Sequence, residues 1–260
     1  MKEKIFLIDT TKCIGCRGCQ VACKVWNNLD PEDTKNWGSY QNPGNMSGTT
    51  YTLVRFSEVI EDGKLRFLFS KDQCRHCAMP GCADACPVEG AIYQWKEAGA
   101  VFVTEKCDPS KCRKECLAGC PFEVMKFNEK ANRAHKCRLC PERIVVGAVP
   151  ACTKTCPTGA LSFGDKDEMV KIAEQKLAEM KKIYPTAELY PGTDWHVIWL
   201  LTSKQEHYHL AEQNPTLFKK KEKMYHLAEI PLAYAIFGAA FLGGLSKLKE
   251  RKKEIQSKKK

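Results

Sequence analysis

An α+β fold of two tandem cysteine-rich units, followed by one membrane-crossing helix, is what this 260-residue sequence predicts. Three observations carry that prediction. Sixteen cysteines fall into four groups of four: Cys13, Cys16, Cys19, Cys23; Cys74, Cys77, Cys82, Cys86; Cys107, Cys112, Cys116, Cys120; and Cys137, Cys140, Cys152, Cys156. Two of these groups end in an internal repeat, CADACPVEGAI (82–92) and CTKTCPTGAL (152–161), each opening C-x3-C-P and closing on an apolar residue. Finally, residues 227–245 read LAEIPLAYAIFGAAFLGGL, nineteen residues with a single charge, Glu229.

Composition bounds what else the chain can be. A 43% hydrophobic share with five Trp supports a packed core and excludes wholesale disorder. The net charge of +10 invites a nucleic-acid reading, but residues 219–260 hold twelve Lys/Arg against four acids, so +8 belongs to the tail. The remaining 218 residues carry only +2, which leaves no basic binding face for DNA or RNA.

The cysteine spacing decides the chemistry. Neighbours two residues apart are poor disulfide partners, and no signal peptide opens the chain, so a secreted disulfide scaffold is disfavoured. Structural zinc prefers two well-separated Cys pairs closing one tetrahedron. Iron–sulfur ligation wants three thiolates at short spacing and a fourth Cys followed by Pro. The first group, CIGCRGCQVACK, has spacings of two, two and three, and the last Cys of the other three groups precedes Pro87, Pro121 and Pro157. A turn containing Gly15 and Gly18 lets successive thiols bend round one cubane, with backbone N–H groups aimed at sulfur. The fourth Cys lies about one helical turn on and faces away from its own run; in two-cluster ferredoxins it ligates the other cluster. The reading is a tandem ferredoxin-like fold of two units, each with two 4Fe–4S clusters in a crossed pair: four 4Fe–4S clusters in all.

The sequence resembles the iron–sulfur (beta) subunit of membrane-associated respiratory formate dehydrogenases, within the wider family of four-cluster electron-transfer subunits of molybdopterin enzymes. The resemblance rests on KCIGCRGCQVACKVWN (12–27), CRHCAMPGCADACPVEGAI (74–92), GCPFEV (119–124) and HKCRLCPERIVVGAVPACTKTCPTGALSFGDKDEM (135–169), and covers residues 1–200. It implies the ligand sets. Cys13, Cys16 and Cys19 join Cys156 on cluster 1; Cys74, Cys77 and Cys82 join Cys120 on cluster 2. Cys107, Cys112 and Cys116 join Cys86 on cluster 3; Cys137, Cys140 and Cys152 join Cys23 on cluster 4. The third group departs from the family pattern: CDPSKCRKECLAGCP is spaced four, three and three, so the residues around Pro109 must loop outward.

Along the chain, residues 1–165 are expected to form the four-cluster domain. Residues 4–10 read as a first strand and 27–50, rich in Asn, Gly, Ser and Thr, as an irregular insertion. The alternating stretch 51–70, with Asp62-Gly63, reads as a hairpin, which completes an insertion spanning 27–70. Residues 166–224 are expected to hold an amphipathic helix and a docking segment. Asp165 caps that helix with Glu168 at capping-box spacing, and Met169, Ile172, Ala173, Leu177, Met180 and Ile183 form its apolar face. His76 sits inside a Cys run already supplied with four thiols, so it belongs beside the ligands or at the surface. His196, in DWHVIWLLTS, fits a packed strand better than a haem contact. Trp26 and Trp95 lie near cluster loops, where shielding from water and ordinary packing are both open readings. Lys24, Arg75 and Arg138 either offset cluster charge or are solvated.

No Walker loop, dinucleotide glycine fingerprint or nucleophile–base set is present, so the chain is expected to be a non-catalytic electron-transfer subunit. The resemblance implies a molybdopterin or tungstopterin catalytic partner oxidising formate, and a membrane cytochrome b or quinone-reactive partner. The rivals are the same conductor in a polysulfide, thiosulfate or dimethyl sulfoxide reductase or a hydrogenase, and, more distantly, a zinc-stabilised interaction module. An anchor at 225–246 is expected to cross the inner membrane once, with the cluster domain periplasmic and the basic tail 247–260 cytoplasmic. The N-terminus shows no cleavable signal or twin arginine, which implies export together with a signal-bearing catalytic partner.

Overall fold

The computed structural model describes residues 2–36 and 38–211. The expected anchor at 225–246 and the basic tail lie outside the described residues. Among those described, no helix is long and apolar enough to cross a membrane.

A four-stranded mixed sheet forms the backbone of the fold, in the order β8 (Leu161–Asp165), β1 (Lys4–Asp9), β10 (Val197–Leu201), β9 (Glu188–Tyr190). β1 runs antiparallel to β8, with Phe6 opposite Phe163, and parallel to β10, with Phe6 opposite Val197. Both central strands are apolar without alternation, IFLI and VIWLL, because both of their faces are covered. Ile5, Leu7, Ile198 and Leu200 meet Met169 and Ala173 of helix α6 (Lys166–Lys181). Phe6, Ile8, Val197, Trp199 and Leu201 face the other way, into the core that contains the cysteines. Each fully buried aliphatic side chain here contributes about 2 kcal/mol.

The sheet therefore incorporates the segment after residue 165: α6, β9 and β10 belong to the same compact unit as the cysteine groups. Asp165 does occupy the N-cap of α6, but it makes no side-chain cap bond; its carboxylate pairs with Lys4 of β1 instead. Ile183 lies beyond the last helical residue and is 64% exposed, so the apolar face ends at Met180.

The remaining elements are small and local. Helix α1 (Gly18–Trp26) packs on α5 (Ala151–Thr155), and α2 (Gly81–Asp84) on α3 (Glu115–Ala118). The turn α4 (Pro141–Ile144) follows the fourth Cys loop. Three two-stranded hairpins complete the set: β2 (Leu53–Glu61) with β3 (Lys64–Asp72), β4 (Ile92–Trp95) with β5 (Ala100–Val103), and β6 (Lys126–Asn128) with β7 (Arg133–His135). The β2–β3 turn has φ of 51° at Asp62 and 72° at Gly63, the paired positive values that a two-residue hairpin turn needs. Both repeats run from a short helix into a strand: α2 to β4 in one, α5 to β8 in the other. Residues 38–50 hold no helix or strand.

Candidate metal centres

Local backbone geometry turns each run of thiols inward. In CIGC, CRHC and CRLC the residue before the second Cys has left-handed backbone: Gly15 at φ 66°, His76 at 47°, Leu139 at 62°. Gly15 has a further reason to be glycine, since a Cβ there would meet Phe56 at 3.0 Å and Phe69 at 3.1 Å. In the third group the extra residues form a short 3₁₀ turn, Pro109–Lys111, capped by the Asp108 carboxylate, which accepts from Ser110 N at 3.0 Å. Lys111 there is exposed, so the added length loops outward.

The fold brings the sixteen thiols together as four quartets. Cys13, Cys16, Cys19 and Cys156 line one cavity. Cys86, Cys107, Cys112 and Cys116 line another. Cys77 has Cys74, Cys82 and Cys120 as its charge neighbours, and Cys23 has Cys137, Cys152 and Cys140. The α1–α5 packing explains the first crossing: α1 carries Cys19 of one quartet and Cys23 of another, and α5 carries Cys152, with Cys156 just past its end. The α2–α3 pair is similar, with Cys82 and Cys116 on the helices and Cys86 and Cys120 just past their ends. Among the described residues, no three His, Cys, Asp or Glu side chains converge to hold a single ion.

The thiols of different quartets that act on one another electrostatically give the quartets their order. Cys19 neighbours Cys152, Cys137 neighbours Cys74, and Cys82 neighbours Cys116. The row therefore runs from the Cys13 quartet to the Cys23 quartet, then to the Cys74 quartet and the Cys86 quartet. Burial follows the same row. All eight thiols of the two middle quartets are buried, whereas Cys16 is exposed at one end and Cys86, Cys107 and Cys112 are half-buried at the other.

Burial dominates the thiol electrostatics. It pushes Cys19, Cys82, Cys116 and Cys140 up to about 12, and Cys137 up to about 11. Metal coordination deprotonates such thiols outright. Cys156 is the exception: burial raises it, but the Thr158 hydroxyl and the N–H groups of Leu161, Thr158 and Ala160 outweigh burial and hold it below the ordinary thiol value.

Comparison with known proteins places this geometry. Residues 12–91 and 65–166 each match a 4Fe-4S dicluster domain. The chain is 43% identical over 252 residues to the formate dehydrogenase-O iron-sulfur subunit of Escherichia coli K12, covering 94% of this chain and 82% of that protein. It is also 43% identical over 212 residues to formate dehydrogenase 2 subunit beta (cytochrome c-553) of Nitratidesulfovibrio vulgaris, covering 79% of this chain and 96% of the relative. The thiosulfate reductase electron transfer subunit PhsB of Salmonella typhi is 34% identical over 193 residues, 73% of this chain and 88% of that one. The chain belongs to the family of formate dehydrogenase iron–sulfur subunits. It is an electron-transfer subunit carrying four 4Fe–4S clusters.

The residues present fit such clusters. Each site offers four sulfurs, and N–H donors reach sulfur: His76 N to Cys74 Sγ at 3.4 Å, Asn27 Nδ2 to Cys23 Sγ at 3.6 Å. His76 is fully buried between two quartets. Its Nδ1 accepts from Val101 N at 2.9 Å, which leaves the ring proton on Nε2, 3.5 Å from Cys137 Sγ. Burial, then the charges of Lys136, His196 and Lys71, keep this imidazole well below its ordinary pKa and neutral. His196 is buried before β10, held by the His76 carbonyl at 2.7 Å and by Glu3 at 2.7 Å, and does not face outward to a haem.

The three cations left open between offsetting cluster charge and solvation are engaged elsewhere. Lys24 donates to the carbonyls of Asp30 and Thr49, both at 2.9 Å, and Arg138 pairs with Glu142 at 3.9 Å. Arg75 is fully buried, yet its guanidinium serves Asp72 at 2.8 Å and lies 4.9 Å above both Phe122 and Trp199. Trp26 turns outward to Glu142 and Arg143. The structure puts two other cations among the thiols, Lys71 and Lys136, both buried. In each, burial pulls the ammonium pKa down but the attraction of nearby sulfurs, led by Cys152 for Lys71 and by Cys74 for Lys136, raises it overall.

Proposed function

We propose that this chain conducts electrons between a catalytic subunit that oxidises formate at a molybdenum or tungsten bis-pterin centre and a membrane cytochrome b or quinone-reactive subunit. One observation carries the reading: four thiol quartets stand in a row whose middle is sealed from water and whose two ends approach the surface. Each 4Fe–4S cluster supplies a one-electron carrier held by four thiolates. The quartets Cys13/Cys16/Cys19/Cys156, Cys74/Cys77/Cys82/Cys120, Cys86/Cys107/Cys112/Cys116 and Cys23/Cys137/Cys140/Cys152 are the four ligand sets. The fold's contribution is to exclude water from the middle of the row and to aim N–H groups at sulfur, the levers by which a protein sets cluster potential.

Formate as the partner's substrate is supported by relatives in two bacterial genera whose names carry formate dehydrogenase. The thiosulfate reductase relative supports a second reading, the same conductor serving a sulfur-reducing partner. Anaerobic purification with native partners separates them. Formate-dependent viologen reduction by the purified complex is the expected result; activity with sulfur substrates alone rejects formate. The apolar stretch 227–245 and the basic residues after it further support anchoring of the complex in the inner membrane, cluster domain periplasmic and tail cytoplasmic.

A further inference from the structure

We propose that Lys71 and Lys136 set the reduction potentials of three of the four clusters, each lysine acting as a fixed positive charge at a junction between neighbouring clusters. The proposal rests on the ligand sets above and adds roles that the cysteines alone do not reveal.

Lys71 is the penultimate residue of strand β3 and is 1% exposed. It lines the cavity of Cys13, Cys16, Cys19 and Cys156, and its other sulfur neighbours, Cys152, Cys137 and Cys23, belong to the adjoining quartet. Its nitrogen is held by the Gln73 side-chain oxygen and stands 5.6 Å from the centre of the Phe6 ring. Lys136, 2% exposed, stands at the next junction, with Cys74 and Cys82 on one side and Cys137 on the other. It donates to the carbonyls of Val101 and Cys137. Neither set of partners contains a carboxylate. A buried ammonium without a carboxylate is costly unless something negative faces it. A thiolate-bound 4Fe–4S cluster is negative in both oxidation states, and it becomes more so on reduction. A fixed cation therefore favours the reduced form and raises the potential. The far cavity is lined by Lys114 and by neither of these lysines, and Lys114 is partly exposed and paired with Glu129 at 3.3 Å.

The test is potentiometric EPR of the intact anaerobic complex, with iron counted in every sample. Lys71→Met is expected to lower the midpoint potentials of the Cys13 and Cys23 quartets. Lys136→Met is expected to lower those of the Cys23 and Cys74 quartets. Lys71→Arg and Lys136→Arg should restore them, and the Cys86 quartet should stay unmoved throughout. Full iron content with unmoved potentials overturns the proposal, as does an equal shift of all four clusters, which signals general loosening. Iron short of four clusters in the wild-type complex overturns the ligand reading instead, so the two failures are distinguishable. If no lysine variant assembles, wild-type complex labelled with ¹⁵N at lysine Nζ decides. Pulsed EPR of the reduced Cys74 quartet should then show coupling to Lys136 nitrogen, and its absence overturns the proposal.

Discussion

Single residues show which parts of the site were legible in the sequence. The thiols were, because iron–sulfur ligation imposes spacings that few other constraints produce. The crossing can be tested at Cys156, which lines the Cys13 cavity although its own run surrounds another. Cys156→Ala is expected to remove or convert the EPR signal of the Cys13 quartet first; loss of the Cys137 quartet alone reverses the assignment. Lys71 and Lys136 were not legible, since a lysine in sequence reads as solvated and only tertiary packing buries it. Arg75 was open to two readings, and the structure gives it neither. Its charge serves Asp72, which also takes Arg55 at 2.9 and 3.0 Å. Asp72→Asn leaves two guanidinium groups short of a counter-charge, one of them fully buried, and is expected to cost about 3 kcal/mol. A lower guanidinium midpoint for loss of the visible absorbance, measured anaerobically, checks this; an unchanged midpoint contradicts it.

Elements divide by how local their determinants are. The β2–β3 hairpin was readable because Asp62-Gly63 settles its turn within two residues. The strand at 4–10 was readable as a strand, but nothing local says that it pairs in parallel with residues 197–200. That partnership depends on both faces being covered, one by α6 and the other by the cysteine core, and such coverage is a property of the whole fold. The same holds for Asp165, whose capping-box spacing was satisfied while its carboxylate went to Lys4. The irregular insertion has its own determinant in Glu32, which accepts from the hydroxyls of Ser47, Thr49 and Thr50. Burial raises the Glu32 pKa, but these donors outweigh burial and hold it below its ordinary value of 4.5. A depressed carboxylate contributes stability that is complete above the ordinary value and is lost as pH falls below it. Deuterium uptake across residues 38–50 is therefore expected to rise, relative to the hairpin, as pH drops below 4.5. Glu32→Gln should show the same rise at neutral pH, and uptake indifferent to both changes removes Glu32 from this role.

At the scale of the whole molecule, a row of clusters conducts only if its two ends meet different partners, and the chain places its least buried thiols at those ends. Membrane attachment would hold such a row in a fixed relation to a quinone-reactive partner. For a helix of nineteen residues, about 28 Å at 1.5 Å per residue, residues 227–245 match a hydrocarbon core of about 30 Å. In such a helix Gly238, Gly243 and Gly244 would let a neighbouring helix approach closely. The eight Lys/Arg of residues 247–260 outnumber the four at 219–223, which favours a cytoplasmic tail. Deleting residues 225–260 is expected to move the cluster domain from the membrane fraction to the soluble fraction with its visible spectrum intact. Retention in the membrane fraction would show that partner subunits, and not this stretch, hold it there. Orientation is read separately, by a reporter fused after Lys260 in the full complex: cytoplasmic activity is the expected outcome, and periplasmic activity reverses the sidedness while leaving the span itself standing.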